Sequence, residues 1–330
     1  MSQFPPPPPL PQKVGLFRRV PPAIFPAVLG LLGLVMAWSR AVEALSAPRW
    51  LVDMAAGMVT LLVLFCVGAY LSKIMLRISA LRDDINTLPG RLGVTALALV
   101  LMLLAALLAP LAPGLAVLCL VAGIIGWGAM LIHVLPQRLG GKDPTGPITP
   151  AMHLVFVGLI VSPAAALALG ASREALVAIT WYAILASVPV YALTLPNLLL
   201  GRGTPPLRPL HGIHLAPVSL IAGAGFMTGQ SVLGLVALGF ATIIALVLLV
   251  RISWLIEGGF SGFWSALTFP LTAFASALLA AGDLLDSGPL RIAGGIVLLL
   301  ASFVVPIIVY RVMKLWAKGV LAAKTIAAIA

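Results

Sequence analysis

From Ile213 to Val250 the chain carries no aspartate, glutamate, lysine or arginine. About twenty helical residues suffice to cross a bilayer. A run of this length therefore has to cross twice, turning at Gly229-Gln230-Ser231. The same pattern fills the rest of the sequence, where charges, prolines and glycines punctuate apolar stretches of about one bilayer's thickness. Broken at those points, the chain is expected to form ten helices, over 23–45, 50–77, 90–109, 114–137, 150–170, 173–199, 213–230, 232–256, 260–281 and 291–316. The third and fourth are divided only by Pro110-Leu-Ala-Pro113-Gly114. Of the 330 residues, 62% are hydrophobic and 9% charged, too few polar groups to coat a soluble protein of this size. A soluble enzyme, a disordered chain, a disulfide scaffold and a nucleic-acid module are excluded. The fold class expected is an all-α polytopic membrane protein.

The net charge of +11 is then a matter of orientation. With the N-terminus inside, ten crossings leave only Arg40, Arg49, Arg173 and Arg291 on the outer side, and the other basic residues of the 20 fall inside. Cytoplasmic loops carry the excess of Lys and Arg, so both termini of this multi-pass protein are expected in the cytoplasm. Outer connections are short and inner ones longer, which implies five outward-pointing helical hairpins. The organisation expected is a proline-rich, disordered arm over 1–17, one ten-helix domain over 18–320 and a tail over 321–330. The opening MSQFPPPPPLPQ has no apolar core for a signal peptide, and its Pro5–Pro9 run favours extended polyproline geometry. Cys66 and Cys119 read as small buried hydrophobes. His133, His153, His211 and His214 read as interfacial side chains.

All nine acids lie at helix ends or in loops, and no basic residue falls near a helix centre. A proton-coupled carrier would need a titratable group along its path, and a cation channel would need carboxylate or carbonyl rings. No HExxH, CxxC, GxSxG or glycine-rich phosphate loop is present, so neither an enzyme nor a cofactor is expected. Passive passage of small inorganic anions or neutral solutes survives. On the ninth helix Ser265, Thr268, Thr272 and Ser276 are spaced 3, 4 and 4 and form one hydroxyl stripe. Such a stripe either lines a path or satisfies backbone carbonyls and neighbouring helices. Pro270 bends the helix in mid-membrane, with Phe269 beside the stripe. Pro26, Pro163 (after Ser162) and Pro217 (before Ser219) are expected to bend helices one, five and seven, weakly favouring the odd-numbered helices as an inner ring. Pro189, Pro196 and Pro306 count against that pattern.

The opening helix, Ile24-Phe25-Pro26-Ala-Val-Leu-Gly30-Leu-Leu-Gly33-Leu-Val-Met-Ala37-Trp38, resembles that of the bacterial tellurite-resistance/dicarboxylate transporter (TehA-like) family. Leu238-Gly239-Phe240, Arg251, Trp264 and Thr268-Phe269-Pro270-Leu-Thr272-Ala-Phe-Ala-Ser276 resemble that family and its relatives, the plant slow anion channels. The resemblance spans about residues 18–320. It implies homotrimers in a lipid bilayer, with a pore inside each protomer ringed by the five odd helices and the even helices outside. It also implies that Phe269, immediately before Pro270, plugs the pore; the candidate lining residues are Phe25, Gly30, Ser162, Ser219, Ser265, Thr268, Thr272 and Ser276. The Phe-Pro pair of helix one departs from the Phe-Gly common in tellurite-resistance relatives.

The function expected is a channel passing small monovalent anions, chloride- or nitrate-like, gated by Phe269. An exporter of tellurite, sulfite or dicarboxylates is the alternative, ranked lower because a divalent substrate calls for Lys or Arg in the path. A structural or sensor protein is the third reading.

Overall fold

The computed structural model describes Gly15 and residues 17–330; the Pro5–Pro9 arm lies outside them. Every regular element among the described residues is helical. Nine helical stretches are long and apolar enough to cross a membrane, and Met152–Ala168 is shorter. We label the principal helices α1 (Phe25–Leu45), α2 (Arg49–Leu76), α3 (Leu88–Leu108), α4 (Pro113–Leu139), α5 (Met152–Ala168), α6 (Arg173–Leu199), α7 (Leu215–Met227), α8 (Ser231–Val250), α9 (Thr268–Leu284) and α10 (Gly288–Ala317). Their ends follow local chemistry. Thr87 caps α3 by accepting from the Gly90 amide at 3.1 Å, and Ser172 caps α6 from Ala175 at 3.3 Å, satisfying donors that a helix leaves free at its start. The turn inside the uncharged run falls at Gly229, whose φ of +70° is a left-handed conformation that glycine adopts at little cost. Arg251 ends α8 earlier than expected, and a separate short helix covers Ile252–Ile256.

The four prolines expected to bend helices do something more specific. Each sits in the first turn of an α-helical segment that follows a 3₁₀ stretch. Pro26 follows Pro22–Ile24, Pro163 follows Gly158–Val161, Pro217 follows Pro205–His214 and Pro270 follows Gly262–Leu267. In a first turn the missing proline N–H costs nothing, because that position has no intrahelical partner. These four odd helices therefore change helix type at proline, whereas α3 runs unbroken. Pro136, Pro189, Pro196 and Pro306 lie inside continuous even-numbered helices.

Packing separates the helices into two sets. α1 packs on α3, α3 on α5, α5 on α7, α7 on α9 and α9 back on α1, so the odd helices close a ring. Each even helix packs on two successive odd ones: α2 on α1 and α3, α4 on α3 and α5, α6 on α5 and α7, α8 on α7 and α9, and α10 on α9 and α1. Burial agrees. In the apolar stretches of α1, α3, α7 and α9, 67–72% of residues are buried, against 17–33% in the even helices. The even helices instead expose Leu61, Phe65, Leu118, Leu185, Phe240 and Phe303, as side chains facing lipid would.

A close seam joins α1 to α9. A Cβ added at Gly30 would run into the Thr268 side chain, and one at Gly33 would lie 2.8 Å from Cδ2 of Phe269 and against the Thr272 hydroxyl. Small residues at such seams let membrane helices approach closely. We expect Gly30→Val to cost about 1–3 kcal/mol by overpacking, read as a lower thermal midpoint in detergent. Gly57→Val on α2, where nothing lies within 4 Å, should leave the midpoint nearly unchanged.

Buried ion pairs knit the end of the bundle where the odd helices begin. Lys73 and Asp84 are fully buried and meet at 2.7 Å. Tyr70 donates to the same Asp84 oxygen at 2.9 Å, and Lys73 also donates to the Val20 carbonyl at 3.0 Å. The other Asp84 oxygen accepts from the Ala328 amide at 2.9 Å, so part of the segment set apart as a tail is packed in place. Arg91, only 1% exposed, reaches Asp143 at 2.6 Å, Gln137 at 3.1 Å and the Ile85 carbonyl at 3.0 Å. Burial pushes the Asp143 carboxyl up, but bonds from Thr145 and Arg91 outweigh this and hold it below its ordinary value. The acids do lie in loops and at helix ends, but two of them are structural keystones.

Candidate functional site

Two cavities lie along the ring, and all five odd helices contribute to both, while the 3₁₀ stretches leading into α7 and α9 line only the smaller one. A small one, about 50 Å³, sits at the N-terminal ends of the odd helices. Its wall includes Pro26 and Leu29, Leu92 and Leu99, His153 and Val157, Ile213 and Pro217, and Ser265, Ala266 and Pro270. A large one, about 460 Å³, sits at their C-terminal ends. Gly33, Met36, Leu103, Pro163, Ser219, Ala273 and Ser276 line it. Four residues belong to both walls: Ile160, Val161, Leu220 and Phe269. They form an apolar partition, contributed by α5, α7 and α9.

Phe269 occupies the second position of α9, directly after the 3₁₀ turn and before Pro270. It is 8% exposed, and its ring has space because Gly33 opposite has no side chain. Ile160 and Val161 reach the partition from the 3₁₀ interruption of α5, so the irregular segments place three of its four members. Sequence reasoning found Phe269 but not Ile160, Val161 or Leu220. Apolar residues in an apolar helix give no signal of their own.

The hydroxyl stripe divides. Ser265 lines the small cavity and Ser276 the large one. Thr268 and Thr272 turn to the α1 seam instead. Thr268 donates to the carbonyls of Ser265 at 2.7 Å and Pro26 at 3.3 Å, and Thr272 to that of Phe269 at 2.8 Å. Ser162 is fully buried and donates to the Leu159 carbonyl at 2.8 Å. Ser219 lines the large cavity, with its own hydroxyl given to Leu215 at 2.7 Å. Gly30 faces Thr268, and Phe25 is fully buried edge-on against Tyr70, ring centroids 5.6 Å apart. Neither lines a cavity. Of the four prolines, Pro26, Pro217 and Pro270 border the small cavity and Pro163 the large one.

Charge enters only at the wide end. Arg40 and Glu43 of α1, paired at 3.4 Å, and Asp283 of α9 line the mouth of the large cavity, and Arg291 holds Asp283 at 3.1 Å. At the narrow end the histidines depart from expectation. His153, His211 and His214 are buried together, because the 3₁₀ stretch before α7 turns both its histidines inward. His153 Nε2 lies 3.2 Å from His214 Nδ1, and Tyr191 donates to the His214 carbonyl at 2.6 Å. His133 stays half-buried beside Gln137, 3.0 Å away. Among the described residues no group of three or more His, Cys, Asp or Glu side chains, these histidines included, is arranged to hold a metal ion.

The ring thus encloses a large cavity with charged groups at its mouth and a small, nearly apolar one, separated by an apolar partition. No curated protein matches the chain. A family signature does, over residues 19–313, and by it the chain belongs to the voltage-dependent anion channel (SLAC1) family, a family of anion channels and transporters.

Proposed function

We propose that the protein passes small monovalent anions, chloride- or nitrate-like, down their gradient through the ring of odd helices in each protomer, and that Phe269 holds the path closed. The observation carrying this reading is the partition of Ile160, Val161, Leu220 and Phe269 between cavities that all five odd helices line. An ion crossing there must shed water against apolar side chains with no fixed cation to replace it, a constriction that gates by occlusion and dewetting. The ring's route out of the way leads toward the large cavity, since the small one has little free space. Weak binding follows from the apolar lining and suits throughput. The helix-one and helix-nine motifs support a place near the tellurite-resistance branch, and with it a homotrimer in a bacterial inner membrane with cytoplasmic termini.

Liposomes loaded with chloride or nitrate and carrying wild-type or Phe269→Ala protein test the ion and the coupling. Passive efflux that persists in the presence of a proton uncoupler supports the channel. Efflux that an uncoupler abolishes, or passage of sulfite, tellurite or malate with none of chloride, replaces it with the exporter.

A further inference from the structure

A third cavity lies away from the ring, on the outer surface between α6, α7 and α8. It measures about 490 Å³, and its wall includes Val188, Leu199, Val236, Phe240, Ile243 and Val247. Several of these are strongly exposed, Phe240 at 59% and Ile243 at 60%, so the groove opens sideways from the bundle. The polar groups in it are already engaged: Ser187 donates to Ile184 and Tyr191 to His214. What fills such a groove in a bilayer has to be apolar along its length. The volume is many times the share of one water molecule, about 30 Å³, and suits a long hydrocarbon chain.

The end of this groove toward the α6–α7 connection is basic. Arg251, one turn beyond Val247, lies across Gly201 and donates from Nη2 to the Leu199 carbonyl at 2.6 Å. Leu199 is itself part of the groove wall. Arg202 follows immediately and is exposed. Among the described residues neither arginine has an acidic partner, although Arg208 close by is paired with Glu257. The Trp254 indole completes the rim, its Nε1 3.8 Å from the position of a Cβ on Gly201 and its ring 4.9 Å from the Arg208 guanidinium. An apolar slot of acyl length that ends in two uncompensated guanidiniums and an interfacial tryptophan matches an amphiphile with an anionic head. Basic pockets between helices on the cytoplasmic side are suited to such headgroups, and tryptophan favours the same depth.

We propose that the α6–α8 groove is a binding site for an anionic phospholipid, one acyl chain lying in the slot and the phosphate held by Arg202 and Arg251. The site is separate from the anion path and does not depend on Phe269.

The test titrates delipidated, detergent-solubilised protein with dioleoyl phosphatidylglycerol or dioleoyl phosphatidylcholine, following thermal midpoint and bound lipid by native mass spectrometry. Wild-type protein should bind phosphatidylglycerol and gain thermal stability, with little response to phosphatidylcholine. Arg202→Gln and Arg251→Gln should each weaken phosphatidylglycerol binding about fivefold, as expected for roughly one neutralised surface cation. Since Arg251 also holds Leu199, a second variant guards against misfolding: Val236→Trp fills the slot with both arginines intact and should abolish binding. Three results would overturn the proposal. One is equal response to both lipids; another is a response to inorganic phosphate equal to that for phosphatidylglycerol. The third is cross-linking between Phe240→Cys protomers, which would show a second copy covering the groove.

Discussion

Replacing Phe269 with alanine should raise anion conductance on the order of a hundredfold, equivalent to about 2.7 kcal/mol off the barrier to permeation. The ring is the largest member of the partition, and the remaining three are aliphatic. Removing it joins a cavity of about 50 Å³ to one of about 460 Å³ and lets water wet the junction. Single-channel or liposome flux recordings at fixed protein density measure the change. Phe269→Leu should give an intermediate current, because a flexible aliphatic chain occludes less well. Phe25→Ala provides the control. That ring is fully buried against Tyr70 and lines neither cavity, so its loss should lower stability by about 3–5 kcal/mol without opening the path. Equal currents from wild-type and Phe269→Ala protein would remove Phe269 from the gating role.

Breaking the buried Lys73–Asp84 pair should be strongly destabilising. With both side chains fully buried, Asp84→Asn leaves an uncompensated lysine, at a cost of about 3–5 kcal/mol. Tyr70 and the Ala328 amide, which also donate to this carboxylate, lose its charge at the same time. The double change Lys73→Met with Asp84→Leu removes both charges and should recover much of that stability, as apolar replacement of a buried pair often does. Thermal unfolding in detergent, read in parallel for the single and double variants, checks the ordering. A single variant as stable as wild type would contradict the burial of this pair.

Much of the architecture was legible because it depends on one-dimensional signals. Charges and glycines bound the apolar runs, so the turn at Gly229 and the helix ends near Leu45, Leu199 and Met227 could be read to within a few residues. The 3₁₀ stretches were not legible, because a proline reads the same whether it kinks a helix or opens one. The site was legible only in part. A spacing of 3 and 4 says that Ser265, Thr268, Thr272 and Ser276 share a face, but not what that face meets. Thr268 turns to Pro26, 242 positions away, and Gly30 and Gly33 make that contact possible. Arg40 counted only as a charge on the outer side, and the fold brings it into the wall of the large cavity with Asp283. The histidines clustered for a similar reason: residues 153 and 214 meet through the packing of α5 on α7.

The glycine seam also bears on tempo. Where Gly30 and Gly33 bring α1 against α9, neither helix can slide without a steric collision, and collective helix shifts take microseconds to milliseconds. A phenyl ring set over Gly33 can instead turn about its own side-chain torsions while both backbones stay still. Its motion therefore does not have to wait for a collective shift of α1 against α9. Openings governed by Phe269 would then be timed by the turning of one ring into the wide cavity, with the α1–α9 seam unchanged between the closed and open states.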